Sequence, residues 1–193
     1  MTQYRNGRNV DIALVHHPVL GRKGETIGSA VTNLDLHDIA RIARTYGVRR
    51  YYIVTPYTDQ QELVREIIAH WQDGHGSTYN PARKEAFSLV RAADSLEDVI
   101  STIESRNHVL PTLVTTSARE QKKRVSYSDS RKRIDSGEQT LLVFGTAHGL
   151  APEITDRADY TLPAIQGNAE YNHLSVRSAV AVICDRLLGN WKE

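Results

Sequence analysis

Cysteine is almost absent from this chain: Cys184 is the only one among 193 residues. It lies in an apolar-patterned segment near the end with no second cysteine to pair with, which predicts a reduced, buried thiol. Eight histidines are present, including His16-His17 and the pair His70 and His75, but none stands at a metal-ligand spacing joined to cysteines, so no zinc site is expected. Long apolar runs are missing too. The first nine residues, MTQYRNGRN, are polar and lead into a strand-length segment, so neither a signal peptide nor a membrane span is predicted, and a cytoplasmic location is expected. Several catalytic signatures are lacking. No Gly-x-Ser-x-Gly elbow occurs, no glycine loop ends in Lys-Ser/Thr, and HHPVLGRKG after the first strand is not a dinucleotide fingerprint. A serine hydrolase, a P-loop triphosphatase and a nicotinamide oxidoreductase are thereby set aside. Repeats, low-complexity stretches and interdomain linkers are also absent.

What is present is an ordinary globular composition, 40% hydrophobic against 24% charged, of a size for one domain over 1–193. Net charge is only +1, so composition announces no polyanion partner. Local basic clusters do stand out: Arg5 and Arg8, Arg49 and Arg50, then Arg119, Lys122, Lys123 and Arg124, and Arg131, Lys132 and Arg133. Nucleic acid is the natural partner where such clusters converge.

Strand-like and helix-like segments alternate along the chain. Val10–His17 reads as a buried strand, followed by a Pro- and Gly-punctuated loop. Leu34–Tyr46 carries Leu36, Ile39, Ala40 and Ala43 at helical spacing and closes at Gly47. Arg50–Thr55 is a strand, Asp59–Trp71 an amphipathic helix, Gln72–Ala82 a polar loop, and Phe87–Val90 a further strand. Ser95 and Asp98 predict a capping box opening a short helix through Ile103, and Pro111–Thr115 is the next strand. This alternation predicts an α/β fold with a mostly parallel sheet and helices on both faces, and ligands in such sheets lie beyond the carboxyl ends of the strands.

The last quarter is the richest stretch. Leu141–Phe144 is a short apolar run, read as a strand buried on both faces, and it ends at Gly145. In GTAHGL, Gly145 and Gly149 bracket Thr146, Ala147 and His148, a turn with little bulk that lets backbone groups approach a ligand. LPAIQG follows at 162–167, and Asn172, His173, Leu174 and Ser175 then lead into a helix whose apolar positions Val176, Val180, Ile183 and Leu187 recur at helical spacing up to Gly189.

In order and spacing, GTAHGL, LPAIQG and NHLSVRSAVAV resemble the C-terminal signature of the SPOUT RNA methyltransferases, named for SpoU and TrmD; the match is dense over residues 140–189. A weaker likeness lies upstream. Many SpoU-like members carry an Asn six positions before an Arg, then a Gly-Val pair; here Arg41, Gly47 and Val48 fit, while Asp35 occupies the Asn position and Asn33 lies just before it.

The resemblance implies a Rossmann-like fold with a deep C-terminal trefoil knot, the knot and cofactor loops falling in about residues 110–189. It implies S-adenosylmethionine as cofactor, RNA (tRNA or rRNA) as partner, and a homodimer with contacts from the last helix and from Leu34–Tyr46. Cofactor contacts are expected at Thr115, Thr116, Gly145, Thr146, Gly149, Leu162, Ile165, Asn172, Leu174 and Val176. Arg41 is a candidate for contacting RNA near the methyl acceptor. Because a sulfonium methyl is already activated, the protein's tasks are to position the acceptor and to remove its proton. Asp35, Asp38, Glu170 and His173 are the polar candidates; for Asp38 a surface pair with Arg41, and for His173 a helix-capping role, are the plainer readings. The leading function is RNA methylation. The runner-up is a non-catalytic RNA-binding protein on the same scaffold, and a third reading is a methyltransferase acting on a small molecule or protein.

Overall fold

The computed structural model describes residues 8–118, 124–169 and 171–190. Apolar segments of four to six residues, too short for stable helices, build the middle of the sheet. β1 (Val10–Val15) is buried along its whole length and pairs in parallel with β7 (Thr140–Gly145) on one side and β4 (Tyr51–Val54) on the other. β5 (Val90–Ala93), β6 (Thr112–Thr116) and β8 (Tyr160–Leu162) complete six parallel strands in the order β5-β4-β1-β7-β6-β8. β2 (Val19–Leu20) and β3 (Thr26–Ile27) form a separate antiparallel hairpin.

Alternation along the strands divides the core into two layers. Ile12, Leu14, Ile53, Leu142 and Phe144 face α1 (Asn33–Thr45) and α8 (Val176–Leu188), packing with Leu36, Ile39, Val180, Ile183 and Leu187. Ala13, Val15, Tyr52, Val54, Leu141 and Val143 face α5 (Leu96–Asn107) and α7 (Pro152–Thr155), packing with Leu96, Val99, Ile103 and Ile154. The expected parallel sheet with helices on both faces is what the chain forms. Cys184 is buried, and burial pushes its thiol up to about 12.

Helix ends follow local chemistry. Thr32 caps α1 by accepting from the Asp35 amide, and Gly47, at φ 72°, takes the left-handed turn after it. The Ser95–Asp98 box is complete, with Asp98 N–H donating to Ser95 Oγ and Ser95 N–H to Asp98 Oδ2, both at 3.1 Å. The helix it opens runs on to Asn107, beyond the expected end at Ile103.

Three stretches depart from expectation. After α2 (Thr58–Gln72), the segment read as a loop folds into α3 (His75–Tyr79) and α4 (Pro81–Phe87). Asn80 caps α4 and Pro81 opens it, so residues that look like loop punctuation are helix-start residues here. Phe87 therefore ends a helix, and the strand shifts to Val90–Ala93. α6 (Tyr127–Asp135), capped by Ser126, lacks an apolar stripe and buries only Ser130 and Ile134.

At the amino ends of the strands the fully buried carboxylate of Asp11 is held by Arg106 (Nη2 to Oδ2, 2.5 Å) and Gln139 (Nε2 to Oδ2, 3.0 Å), while its Oδ1 has no partner among the described residues. Burial raises the Asp11 carboxyl above its ordinary range, and Arg106 opposes that rise. Removing the guanidinium leaves an uncompensated buried charge, so Arg106→Ala is expected to lose about 2–4 kcal/mol at neutral pH, and adding Asp11→Asn to restore most of it. A raised carboxylate pKa favours the folded state at low pH and stops doing so as pH rises through the folded value. The Arg106→Ala deficit measured by urea unfolding should therefore be smaller at pH 4 than at pH 7.

Candidate active site

The chain runs outward from β1 to β4 and β5, then crosses to β6 on the other side, so strand order reverses at the junction of β1 and β7. Crevices form beyond the carboxyl ends at such reversals. Three predicted elements meet there. Thr116 lies opposite Leu162 in the β6–β8 register, and β7, which ends in Gly145, runs along the other side of β6.

The GTAHGL turn is closed from within and braced from without. A Cβ on Gly145 would stand 2.7 Å from the Leu150 amide nitrogen, so only glycine lets the turn fold back this tightly. Gly149, at φ 110°, donates to Thr146 O (3.0 Å), and Ala147 takes a left-handed φ of 50°. Thr146 donates to Val15 O through both its amide (3.3 Å) and its hydroxyl (3.0 Å). From the hairpin, Leu20 N–H donates to Gly149 O (2.8 Å), and Leu20 O accepts from His148 N–H (3.1 Å).

Thr115 lies a layer beneath this surface: it is fully buried and its hydroxyl is bonded to that of Thr161 at 2.8 Å. Leu162 is buried at the end of β8, and the chain beyond it is tethered where Tyr127 Oη donates to Pro163 O (2.9 Å). Ile165 and Val176 pack on the same core layer. Residues 164–168 make no backbone hydrogen bond to any described residue, so their N–H and C=O groups are open to a ligand. Asn172 is half-buried and Leu174 half-exposed on the way to Ser175, which caps α8 by accepting from the Ser178 amide.

The polar candidates divide. Asp35 and Asp38, on the first turns of α1, both face Arg177 on the first turn of α8: Arg177 Nη1 is 3.4 Å from Asp35 Oδ1, and Nε is 3.5 Å from Asp38 Oδ2. Thr32 Oγ1 donates to the other Asp35 oxygen at 2.6 Å. The expected Asp38–Arg41 pair is thus replaced by Asp38–Arg177, because the first turns of α1 and α8 cross, and Arg41 is exposed. His173 does not cap α8; it is exposed and meets Tyr171 edge to face, ring centroids 5.3 Å apart. Glu170, Arg5, Arg119, Lys122 and Lys123 lie outside the described residues. Among those described, no group of three or more His, Cys, Asp or Glu side chains is arranged to hold a metal ion.

Two residues not singled out from the sequence, His16 and Ser29, join this end of the sheet. His16 is fully buried, its Nδ1 lies 3.1 Å from Ser29 Oγ, and Ser29 Oγ is hydrogen-bonded in turn to Thr146 Oγ1. Thr146 gives its proton to Val15 O, so the chain of donors is satisfied when Nδ1 carries the imidazole proton. Burial lowers the His16 pKa, against a smaller opposing effect from Asp35. The sequence signal was a histidine at the carboxyl end of a buried strand.

The fold is one that solved SpoU methyltransferases share. The AdoMet complex of the SpoU methyltransferase AviRb from Streptomyces viridochromogenes superposes with a TM-score of 0.62 at 16% identity, covering 95% of this chain and 58% of that one. The A. aeolicus TrmH/SpoU tRNA modifying enzyme gives 0.57 at 15% identity, covering 94% and 74%. A family model described as SAM-dependent RNA methyltransferase matches residues 9–189, and the chain belongs to that family. Among curated relatives, a tRNA (guanine-N(1)-)-methyltransferase of Oleidesulfovibrio alaskensis is 44% identical over 96% of this chain, and an Aquifex aeolicus protein of no stated function is 44% identical over 93% of this chain and 88% of its own length. The chain spans only 43% of the Oleidesulfovibrio protein.

S-adenosylmethionine is the methyl donor of this family, and the site suits it: apolar Leu162 and Ile165, open backbone groups at 164–168, and a turn with no room for a side chain at Gly145. Gly145→Ala is expected to destabilise the fold by about 1–3 kcal/mol and to weaken cofactor binding at least about tenfold. Gly167→Ala, whose Cβ meets nothing within 4 Å, should leave stability unchanged. Denaturant unfolding and calorimetry with the cofactor read both effects.

Lowered histidine pKa values also set a pH response. Between the folded value and the ordinary value of about 6.5 the unfolded chain binds a proton that buried His16 does not, so stability falls as pH drops through that window. His37, lowered by burial and then by Arg83, acts in the same direction. His16→Gln should flatten part of the decline between pH 7 and pH 5 in thermal melts.

Proposed function

We propose that this domain methylates RNA in the cytoplasm as a homodimer, with its C-terminal segment threaded as a trefoil knot around the cofactor. The observation that carries the reading is the convergence of three strand ends, the GTAHGL turn and the first turns of α1 and α8 on one crevice. When bound, S-adenosylmethionine supplies an activated methyl group. Thr116, the 145–149 turn, Leu162, Ile165, Asn172, Leu174 and Val176 hold its adenosyl part, with Thr115 supporting them from below. Support for the knot comes from the connection between β7 and β8, which passes β6, and from the return of the following segment to α8 against α1. Support for the dimer comes from Leu34, Tyr171 and Leu174, large apolar side chains 50–75% exposed and adjoining the first turns of α1 and α8.

Of the candidate bases, Asp35 has both oxygens already engaged, one by Thr32 and one by Arg177, within the protein's own contacts. Asp38 touches Arg177 through one oxygen and is more exposed, so the proton from the acceptor goes to Asp38. Exposed Arg41, one turn on, grips an adjacent phosphate or ribose. The names of the longer relatives point to tRNA as the substrate class.

Incubation of the protein with methyl-labelled cofactor and bulk tRNA or rRNA should transfer label to RNA, tRNA being favoured. Arg41→Ala should lower the rate about a hundredfold by misplacing the acceptor. Cofactor binding without label in either RNA would instead favour the non-catalytic RNA-binding reading.

A further inference from the structure

Away from the cofactor crevice, the opposite edge of the sheet carries a furrow. Tyr52 of β4 is in register with Arg91 of β5, and Arg50 precedes Tyr52 by two residues, so the two arginines are near neighbours on the face that α5 covers. α5 covers this edge incompletely. Between them lies a cavity of about 450 Å³ lined by Arg50, Tyr52 and Arg91 of the sheet and by Asp98, Thr102 and Arg106 of α5.

The furrow's charges are unevenly matched. Arg106 is paired with Asp11. Asp98 belongs to the helix cap, and Asp94 at the rim accepts from Gln61 Nε2 at 2.7 Å. Arg50 and Arg91 have no carboxylate partner among the described residues. Arg50 Nη1 donates to the Arg49 carbonyl (2.8 Å), and Arg91 Nη1 donates to the Ser88 (2.9 Å) and Val90 (2.7 Å) carbonyls. Each guanidinium thus engages one nitrogen with backbone and keeps its remaining N–H groups open. Like charges on adjacent strands repel, and burial together with the Arg50 charge lowers the Arg91 pKa. Asp94 and Asp98 line the same furrow but form no ion pair with either arginine among the described residues, whereas an anion between the two arginines would offset their repulsion directly.

We propose that this furrow is a binding site for a phosphate group, gripped by Arg50 and Arg91 against a wall formed by Thr102 and Arg106. The phosphate belongs either to the backbone of a bound RNA or to a free phosphorylated small molecule. β5 is at the opposite edge of the sheet from β8, so this site and the cofactor loops do not overlap and both can be filled together.

The test compares wild type with Arg50→Gln/Arg91→Gln, and separately with Thr102→Glu, which places a carboxylate in the furrow from an exposed helix position. Cofactor affinity, measured by calorimetry, should be unchanged in all three, which reports intact folding. Inorganic pyrophosphate is titrated in thermal melts, and labelled tRNA is titrated by anisotropy over a range of salt. If the phosphate is that of RNA, both variants lose about tenfold in RNA affinity, and their salt dependence flattens by about 0.7–0.9 in slope per lost contact. If the ligand is small, pyrophosphate raises the melting temperature of wild type alone and RNA affinity is unchanged. Wild type and variants that behave alike in both titrations overturn the site, and neither titration depends on methyl transfer.

Discussion

The parallel pairing of β1 with β7 is the constraint on which the rest depends. Its register, from Val10 opposite Thr140 to Val15 opposite Gly145, puts the end of one central strand directly beside the glycine turn that ends the other. Thr146 then reaches Val15 O with both amide and hydroxyl, and the loop is set before any ligand arrives. A one-residue slip would exchange the two faces of β7. Leu142 and Phe144 would leave the α1/α8 layer, and Gly145 would lose the place where its missing side chain matters.

A buried acidic group lies near each end of this axis, Asp11 on β1 and Asp35 on α1, and the two are treated differently. Asp11, at the amino ends, is fully buried with one oxygen unpartnered, and it is tolerable because Arg106 and Gln139 converge on the other. Asp35, near the carboxyl ends, is nearly as buried but has a donor on each oxygen. An Asn there would have only one oxygen for Arg177, and its NH2 would face the Thr32 hydroxyl, which would then have to accept rather than donate. The aspartate found at this position, where the likeness to many SpoU-like members leads one to expect an Asn, meets a donor on each of its oxygens.

How much of this was legible in the sequence depended on the length of each element and on how far its contacts reach. β1, β4, β6 and β7, and helices α1, α2, α5 and α8, show in the hydrophobic period, because each buries several side chains on a regular face. β8 has three residues, β2 and β3 two each, and α6 buries one apolar side chain, so none offers a period to read. At the site, the order of the C-terminal loops was readable because each loop has its own local chemistry. The bridge from Arg177 to Asp35 spans 142 residues and the bond from Ser29 to Thr146 spans 117, and no local pattern announces either. Residue types could nominate Asp35, Asp38 and Arg41, but only the crossing of α1 and α8 shows which of them are engaged.

That crossing also governs the long connection after β8. At its start Tyr127 holds the Pro163 carbonyl, and at its end Arg177 ties the first turn of α8 to two carboxylates of α1. Between these anchors, the backbone groups of residues 164–168 bond to no described part of the protein. A segment fixed at both ends gives up much of its conformational freedom on folding, so less remains to be lost when a ligand takes up its open N–H and C=O groups. Regular secondary structure in the same place would have satisfied those groups internally and left none for a ligand. The irregularity of this stretch leaves those groups available to a ligand.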